Sequence, residues 1–227
     1  MIKIGYLSSQ QLGLEHLAEC QPTPIKLLSG AVNQCPGVRG YYRNTFEVKC
    51  PFNLEWTVYK HKGGGAHGKI NQDNCSLDLE KISNIESILG FDREGKVVQI
   101  LLNPGWSFVS DTPNTIMLQH SNGIDTNPQI ITGNADIYKW PDRQLSIAYS
   151  LEDGGDEQTF TLKRGQPWYR VTFFVPELQP VTLVKMEERP LYLRNIRNKT
   201  DLTIFKNLNW RKIFNDFGNS RPKKLIP

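Results

Sequence analysis

Short runs of β-branched and aromatic residues, each closed within a few positions by Gly, Pro, Asn or Asp, recur through the middle of this chain and constrain its fold most. The runs are Thr45–Lys49, Leu54–Tyr59, Lys96–Leu102, Thr115–His120, Gln129–Thr132, Leu145–Ser150, Gln158–Leu162 and Trp168–Val175. Residues of this kind fit a pleated, half-buried surface, and runs of this length suit strands. Between them stand Asp92-Arg93-Glu94-Gly95, Asn103-Pro104-Gly105, Ser121-Asn122-Gly123, Thr132-Gly133-Asn134 and Asp153-Gly154-Gly155-Asp156. Each supplies the Gly or Asn that positive φ requires, or a Pro that fixes φ. The expectation is an all-β fold, a sandwich or distorted barrel, with a short helix-containing C-terminal arm.

Helical spacing is confined to the ends. Ser9–Cys20 places Leu12, Leu14, Leu17 and Ala18 partly on one face, but Gly13 weakens it and Pro22 and Pro24 follow. Leu202–Phe217 is better formed: Ile204, Phe205, Leu208, Ile213, Phe214 and Phe217 approximate one stripe, Thr200 or Asp201 can cap it, and Gly218 follows. The charge balance changes near Met186–Pro190. Residues 1–188 hold 17 basic against 21 acidic side chains, a net −4, whereas residues 189–227 hold 10 against 2, a net +8. The chain therefore reads as a β-rich body, 1–188, and a basic arm, 189–227. A basic arm can clasp an acidic partner, nucleic acid, or the acidic body of a second copy. Nucleic acid is the weaker choice, because the acidic body would repel it.

The residues that carry chemistry are scattered. Cys20, Cys35, Cys50 and Cys75 contain no C-x-x-C pair, so zinc is not expected and buried free thiols are. His61 and His67 flank the Gly63-Gly64-Gly65 stretch, but neither H-x-D nor H-E-x-x-H occurs, and no metal or cofactor is expected. The glycines, with Lys60, Lys62 and Lys69 nearby, read as a hairpin tip more readily than as an anion cradle. No G-x-S-x-G elbow is present, and Asp153/Asp156 and Glu187/Glu188 sit in apparent turns or charged runs. An enzyme is the weaker reading. Trp56 and Trp168 lie inside strand patterns and belong in the core; Trp106 and Trp140 stand at turns and read as surface contacts. No window approaches the eighteen apolar residues of a membrane helix, and no secretory leader is read at Met1–Tyr6.

Three segments resemble an uncharacterised family of phage-associated all-β proteins. They are Cys35-Pro36 with Asn44-Thr45-Phe46-Glu47-Val48 and Pro51-Phe52-Asn53-Leu54; Asn103-Pro104-x-Trp106 with Asp111-Thr112-Pro113 before Ile116–His120; and Lys163-Arg164-Gly165-Gln166-Pro167 leading into Tyr169–Phe174. The resemblance spans about residues 35–176 and implies a phage origin and a β fold, without catalytic residues. The last segment is also similar to the closing strands of dUTPase and dCTP-deaminase barrels, although the nucleotide-binding motifs of those barrels have no counterpart here.

The resulting expectation is a non-enzymatic phage protein acting by protein–protein association, as a virion component or an accessory factor in the host cytoplasm. The arm would supply the contact through Arg194, Arg197, Trp210, Arg211, Lys212 and Phe214. The alternative is a barrel that binds or processes a small ligand, nucleotide or sugar, with His120, Asp125, Asp136 and Arg143 converging on a pocket.

Overall fold

The structure, a computed structural model, describes residues 1–8, 20–26, 35–61, 66–76, 89–91, 97–100, 106–121, 130–142, 147–150, 155–195 and 219–227. The elements run β1 (Ile2–Ser8), β2 (Thr23–Pro24), α1 (Pro36–Arg43), β3 (Thr45–Lys49), β4 (Leu54–Lys60), β5 (Ala66–Ile70), β6 (Leu89–Phe91) and β7 (Val97–Ile100). They continue with β8 (Trp106–Ser110), β9 (Ile116–Ser121), β10 (Gly133–Asp136), β11 (Ile147–Ser150), β12 (Glu157–Leu162), β13 (Pro167–Phe174) and β14 (Val181–Lys185). Residues 191–195 and 219–220 are helical. The protein is all-β: among the described residues the strands form open sheets that contribute to one core and do not close into a barrel.

The largest sheet has the order β10-β9-β13-β3-β2, and three smaller ones have the orders β14-β1-β8, β12-β4-β5 and β11-β7-β6. Alternation along each strand decides what faces inward. Phe46 and Val48 of β3, Leu54, Trp56 and Val58 of β4, Met117 of β9, Phe160 of β12, and Val171 and Phe173 of β13 all enter one core. Aromatic edges join the elements, Phe108 meeting Phe173 and Phe52 meeting Trp168, each at 5.3 Å between ring centroids, while Trp56 and Phe160 pack side by side at 5.3 Å within one sheet. Trp168 and Tyr169 are consecutive yet both buried, because the pairing of β13 with β3 slips between Pro167 and Tyr169. A bulge of this kind turns two neighbouring side chains to the same side. The indole N–H of Trp168 donates to Tyr149 Oη at 2.7 Å, so the large ring is buried without an orphaned donor.

A second, smaller core lies on the far face of β1 and β8. Gly5, Leu7 and Val109 face Met186, Leu193, Leu225 and Ile226 there. The basic segment 189–227 is thus joined to the body at both of its described ends. Arg189 clamps Asp142 with Nε to Oδ2 at 2.5 Å and a second nitrogen to Oδ1 at 3.2 Å. Asp111 accepts from the backbone N–H groups of Leu225 and Ile226, both at 2.9 Å, and from Arg221 at 3.2 Å. The Arg221 guanidinium also lies 4.3 Å from the centre of the Tyr138 ring.

Several expectations need correction. Helix α1 was not expected: Cys35-Pro36 starts it, since Pro at the first helical position loses no hydrogen bond there. Thr132-Gly133-Asn134 is not a turn: Gly133 and Asn134 begin β10 and pair with Gln119 and Leu118. Gln129–Thr132 keeps only an isolated bridge, Ile130 to Tyr149, among its described residues. Trp106 is buried, donating its N–H to the carbonyl of Cys20 at 2.9 Å, whereas Trp140 is half-buried. Trp56 and Trp168 are in the core as expected. None of the four cysteines, all among the described residues, is in a disulfide; Cys20 and Cys50 are buried, but Cys35 is exposed. The expected helices over Ser9–Cys20 and Leu202–Phe217 fall outside the described residues, apart from Cys20. No helix among the described residues is long and apolar enough to cross a membrane.

Candidate ligand-binding face

The strand Leu54-Glu55-Trp56-Thr57-Val58-Tyr59 sends Leu54, Trp56 and Val58 inward, which leaves Glu55, Thr57 and Tyr59 on the outer face. Register then builds rows across the β12-β4-β5 sheet. Glu157, Tyr59 and His67 form one, Thr159, Thr57 and Lys69 the next, and Thr161 stands opposite Glu55 in the third. Thr57 and Thr159 share a hydroxyl contact of 2.9 Å. Beyond β5, a single turn of 3₁₀-helix over Gln72–Asn74 brings two amides onto Glu55: Asn71 Nδ2 donates to Oε1 at 2.6 Å and Asn74 Nδ2 at 3.0 Å. Asn71 Oδ1 in turn accepts from the Asp73 N–H at 3.3 Å.

These bonds fix the charge state as well as the geometry. The amides of Asn74 and Asn71 hold the Glu55 carboxyl below its ordinary value, with a lesser contribution from the Thr161 hydroxyl, against the opposing effect of burial. Glu55 is therefore a fixed carboxylate acceptor at neutral pH. Two shallow depressions adjoin there. One, of about 580 Å³, is lined by Asn53, Glu55, Asn74, Thr161 and Lys163; the other, of about 530 Å³, by Thr57, Tyr59, Lys69 and Asn71; Asp73 borders both. The Tyr59 and His67 rings stand beside them, 5.0 Å apart with 20° between their planes. Carboxylate, amides, hydroxyls, an ammonium and a flat ring pair on one rigid sheet make a surface for a ligand rich in hydroxyl groups.

The pocket residues named from sequence are not brought together where they can be seen. Asp125 and Arg143 lie outside the described residues. Asp136 pairs with Ile116, four positions along β9 from His120, or about 13 Å of strand. The Asp136 carboxylate accepts from the N–H groups of Tyr138 and Lys139 at 3.1 and 3.0 Å, which fastens the turn after β10. His120 is half-buried beneath α1. Its Nε2 lies 3.1 Å from Tyr41 Oη and 3.0 Å from Thr172 Oγ1. Thr45 Oγ1 donates to the Tyr41 carbonyl at 2.7 Å and lies 2.8 Å from Thr172 Oγ1, so Thr172 must donate to Thr45. Thr172 then has no hydrogen left to donate to His120. Burial first, and the charge of Arg170 after it, push the imidazole below its ordinary value although the Ser121 backbone opposes them.

Of the residues proposed for partner binding, Arg194 alone is described: it is exposed and its Nε donates to the Arg189 carbonyl at 2.7 Å. Arg197, Trp210, Arg211, Lys212 and Phe214 lie outside the described residues. The Glu55 cluster was not singled out from sequence. The alternation of β4 could have placed Glu55, Thr57 and Tyr59 on one face, but Asn71 and Asn74 follow a glycine-rich stretch that reads as a hairpin tip. No known protein family, curated protein or solved structure matches the chain.

Proposed function

We propose that the protein works by binding a small, hydroxyl-rich ligand of the sugar or nucleotide class on the outer face of the β12-β4-β5 sheet. One observation carries the reading: Glu55 is held ionised and oriented by Asn71 and Asn74 beside two adjoining depressions. A carboxylate already held by amides accepts hydrogen bonds without the reorganisation that a free side chain costs on binding. Such a group is poorly suited to donate a proton, so the face favours recognition over acid catalysis. The test is titration of the labelled protein with neutral oligosaccharides and nucleoside monophosphates, followed by amide NMR shifts. Shifts clustered on Glu55, Thr57, Asn71 and Thr161, weakened in Glu55→Ala, support the reading. A flat response to both ligand classes overturns it.

Association with another protein is a second reading with its own support. Leu178, packed near Gly40 of α1, is 57% exposed, and Tyr41 of α1 and Phe174 at the end of β13 are exposed as well. Leu178 is also held at φ 50°, a left-handed backbone that a residue with a branched side chain rarely adopts. An apolar side chain both exposed and strained suits a surface that a partner covers. The phage origin, the virion role and the cytoplasmic setting belong to this reading and rest on the resemblance of residues 35–176. Self-association would appear as a concentration-dependent mass in light scattering that Phe174→Asp removes. A mass unchanged by that substitution would eliminate this surface as the self-contact.

A further inference from the structure

The chain separates His61 from His67 by six positions, and the β4-β5 hairpin closes that gap. Tyr59 pairs with His67 and Lys60 with Ala66, so His61, one residue beyond β4, returns beside His67. His67 Nδ1 stands 3.0 Å from His61 Nε2, with 22° between the ring planes and 4.9 Å between centroids. Rings stacked face to face at that spacing would hold their nitrogens farther apart. The rings are instead offset, with the two nitrogens within hydrogen-bond distance on their facing edges, where both can turn to one ion.

That separation has a chemical meaning. Two imidazole nitrogens bound to one metal at about 2.0–2.1 Å lie roughly 2.9 Å apart at a right angle and roughly 3.4 Å apart at a tetrahedral angle. The observed 3.0 Å falls inside this range, toward the right-angled end that suits square-planar or octahedral ions. Both rings are exposed, so an ion reaches them without opening the fold. Tyr59 lies parallel to His67 at 5.0 Å and restricts the rotation of its ring. The geometry points to a two-histidine chelate, His61 Nε2 with His67 Nδ1, for a divalent first-row transition metal, its remaining positions filled by water. This site shares the His67 ring with the face proposed for the hydroxyl-rich ligand, but it rests on the geometry of the two histidines alone.

Chelation balances without an added reactant. In the metal-free pair one ring N–H lies between the two nitrogens. On binding, that ring changes tautomer, so that His61 carries its proton on Nδ1 and His67 on Nε2, and both facing lone pairs go to the metal. Lys69, on the same face two positions along β5, opposes an incoming cation, whereas Glu157 in the His67 row attracts it from two strands away. The site should therefore be of moderate affinity.

The experiment is calorimetric titration of the full-length protein with NiCl2 and with ZnCl2; copper(II) is avoided because it oxidises free thiols such as Cys35. Saturable binding is expected, tighter for nickel, with one metal per chain or one shared by two. His61→Ala and His67→Ala should each weaken it by about tenfold or more, since either change leaves a single imidazole and removes the advantage of paired ligands. His120→Gln, in a different sheet, should leave it unchanged. Circular dichroism of each variant checks that the exposed substitutions leave the fold intact. Absence of saturable nickel binding, or full binding in either histidine variant, would overturn the proposal.

Discussion

A hydrogen atom at Gly5 makes the second core possible. A Cβ built there would fall 2.5 Å from Met186 Sδ, 2.8 Å from Val109 Cγ1 and 3.3 Å from Ile226 Cγ1. Met186 can swing away, but Val109 is β-branched and fully buried on the strand beside Gly5. Gly5→Ala should therefore destabilise the protein by about 1–3 kcal/mol, the usual cost of overpacking, read from the urea midpoint. Gly155, with nothing within 4 Å of a built Cβ, is the control, and Gly155→Ala should barely move that midpoint. Equal effects at the two positions would remove the steric account. His120 makes a prediction of a different kind. Its folded-state value lies below the ordinary 6.5, so the unfolded chain takes up the proton first as pH falls. The stability tied to the neutral ring is complete above about pH 6.5 and is lost as pH falls from there through the folded-state value. His120→Gln, which does not titrate, should flatten the melting-temperature profile between pH 7 and 5; an unaltered slope would show that other groups set it.

At the level of elements, the joints are made by single polar side chains. Asn44, buried at the end of α1, donates from Nδ2 to the Gln179 carbonyl at 3.0 Å and accepts at Oδ1 from the Val181 N–H at 3.0 Å, seating the start of β14. Asp111 does the same for the chain end by accepting from Leu225 and Ile226. Asp111→Ala leaves two N–H groups and the Arg221 guanidinium without that acceptor, so the last residues should detach while the sheets persist. Carboxypeptidase digestion followed by mass spectrometry should then remove Leu225 and Ile226 faster than in the parent; equal rates would show that packing alone holds the terminus. The joints explain what the sequence could and could not reveal. Strands such as Thr45–Lys49 and Leu54–Tyr59 were legible because one face is apolar and a turn follows. The helix α1 was not, since it is only eight residues long, Gly37 and Gly40 weaken it, and none of its residues is buried. Strand β8 escaped because all five of its residues are buried, so Trp106–Ser110 has none of the alternation that marks a one-sided strand. The Glu55 cluster escaped for a third reason: its partners come from a turn, and no periodicity predicts which amides a turn delivers.

For the whole molecule, the charge shift near residue 188 does not coincide with a break in packing. β1 pairs in parallel with β14, the first strand with the last, and Lys3 Nζ donates to the Pro227 carbonyl at 3.0 Å. A chain ending at residue 188 would lose Leu193, Leu225 and Ile226, uncovering Leu7, Val109 and Met186. It would also leave Asp142, whose side chain is 2% exposed, without Arg189. Removing one partner of a buried ion pair costs about 3–5 kcal/mol. The lost apolar contacts add to that, and a domain of ordinary stability holds only about 5–15 kcal/mol in reserve. The shortened chain should therefore melt far below the parent, or fail to fold, and bind a dye that reports exposed apolar surface. An unchanged melting midpoint without dye binding would mean that the basic segment rests on a body complete without it. The expected outcome limits how association can be studied, because loss of assembly in a chain ending at 188 would report unfolding and not a missing clasp. Charge reversal at the exposed Arg194 in the full-length protein keeps the second core and tests the arm alone. If the basic segment clasps an acidic neighbour, Arg194→Glu should lower the solution mass at low salt while the melting temperature stays fixed, and an unaltered mass would remove Arg194 from the contact.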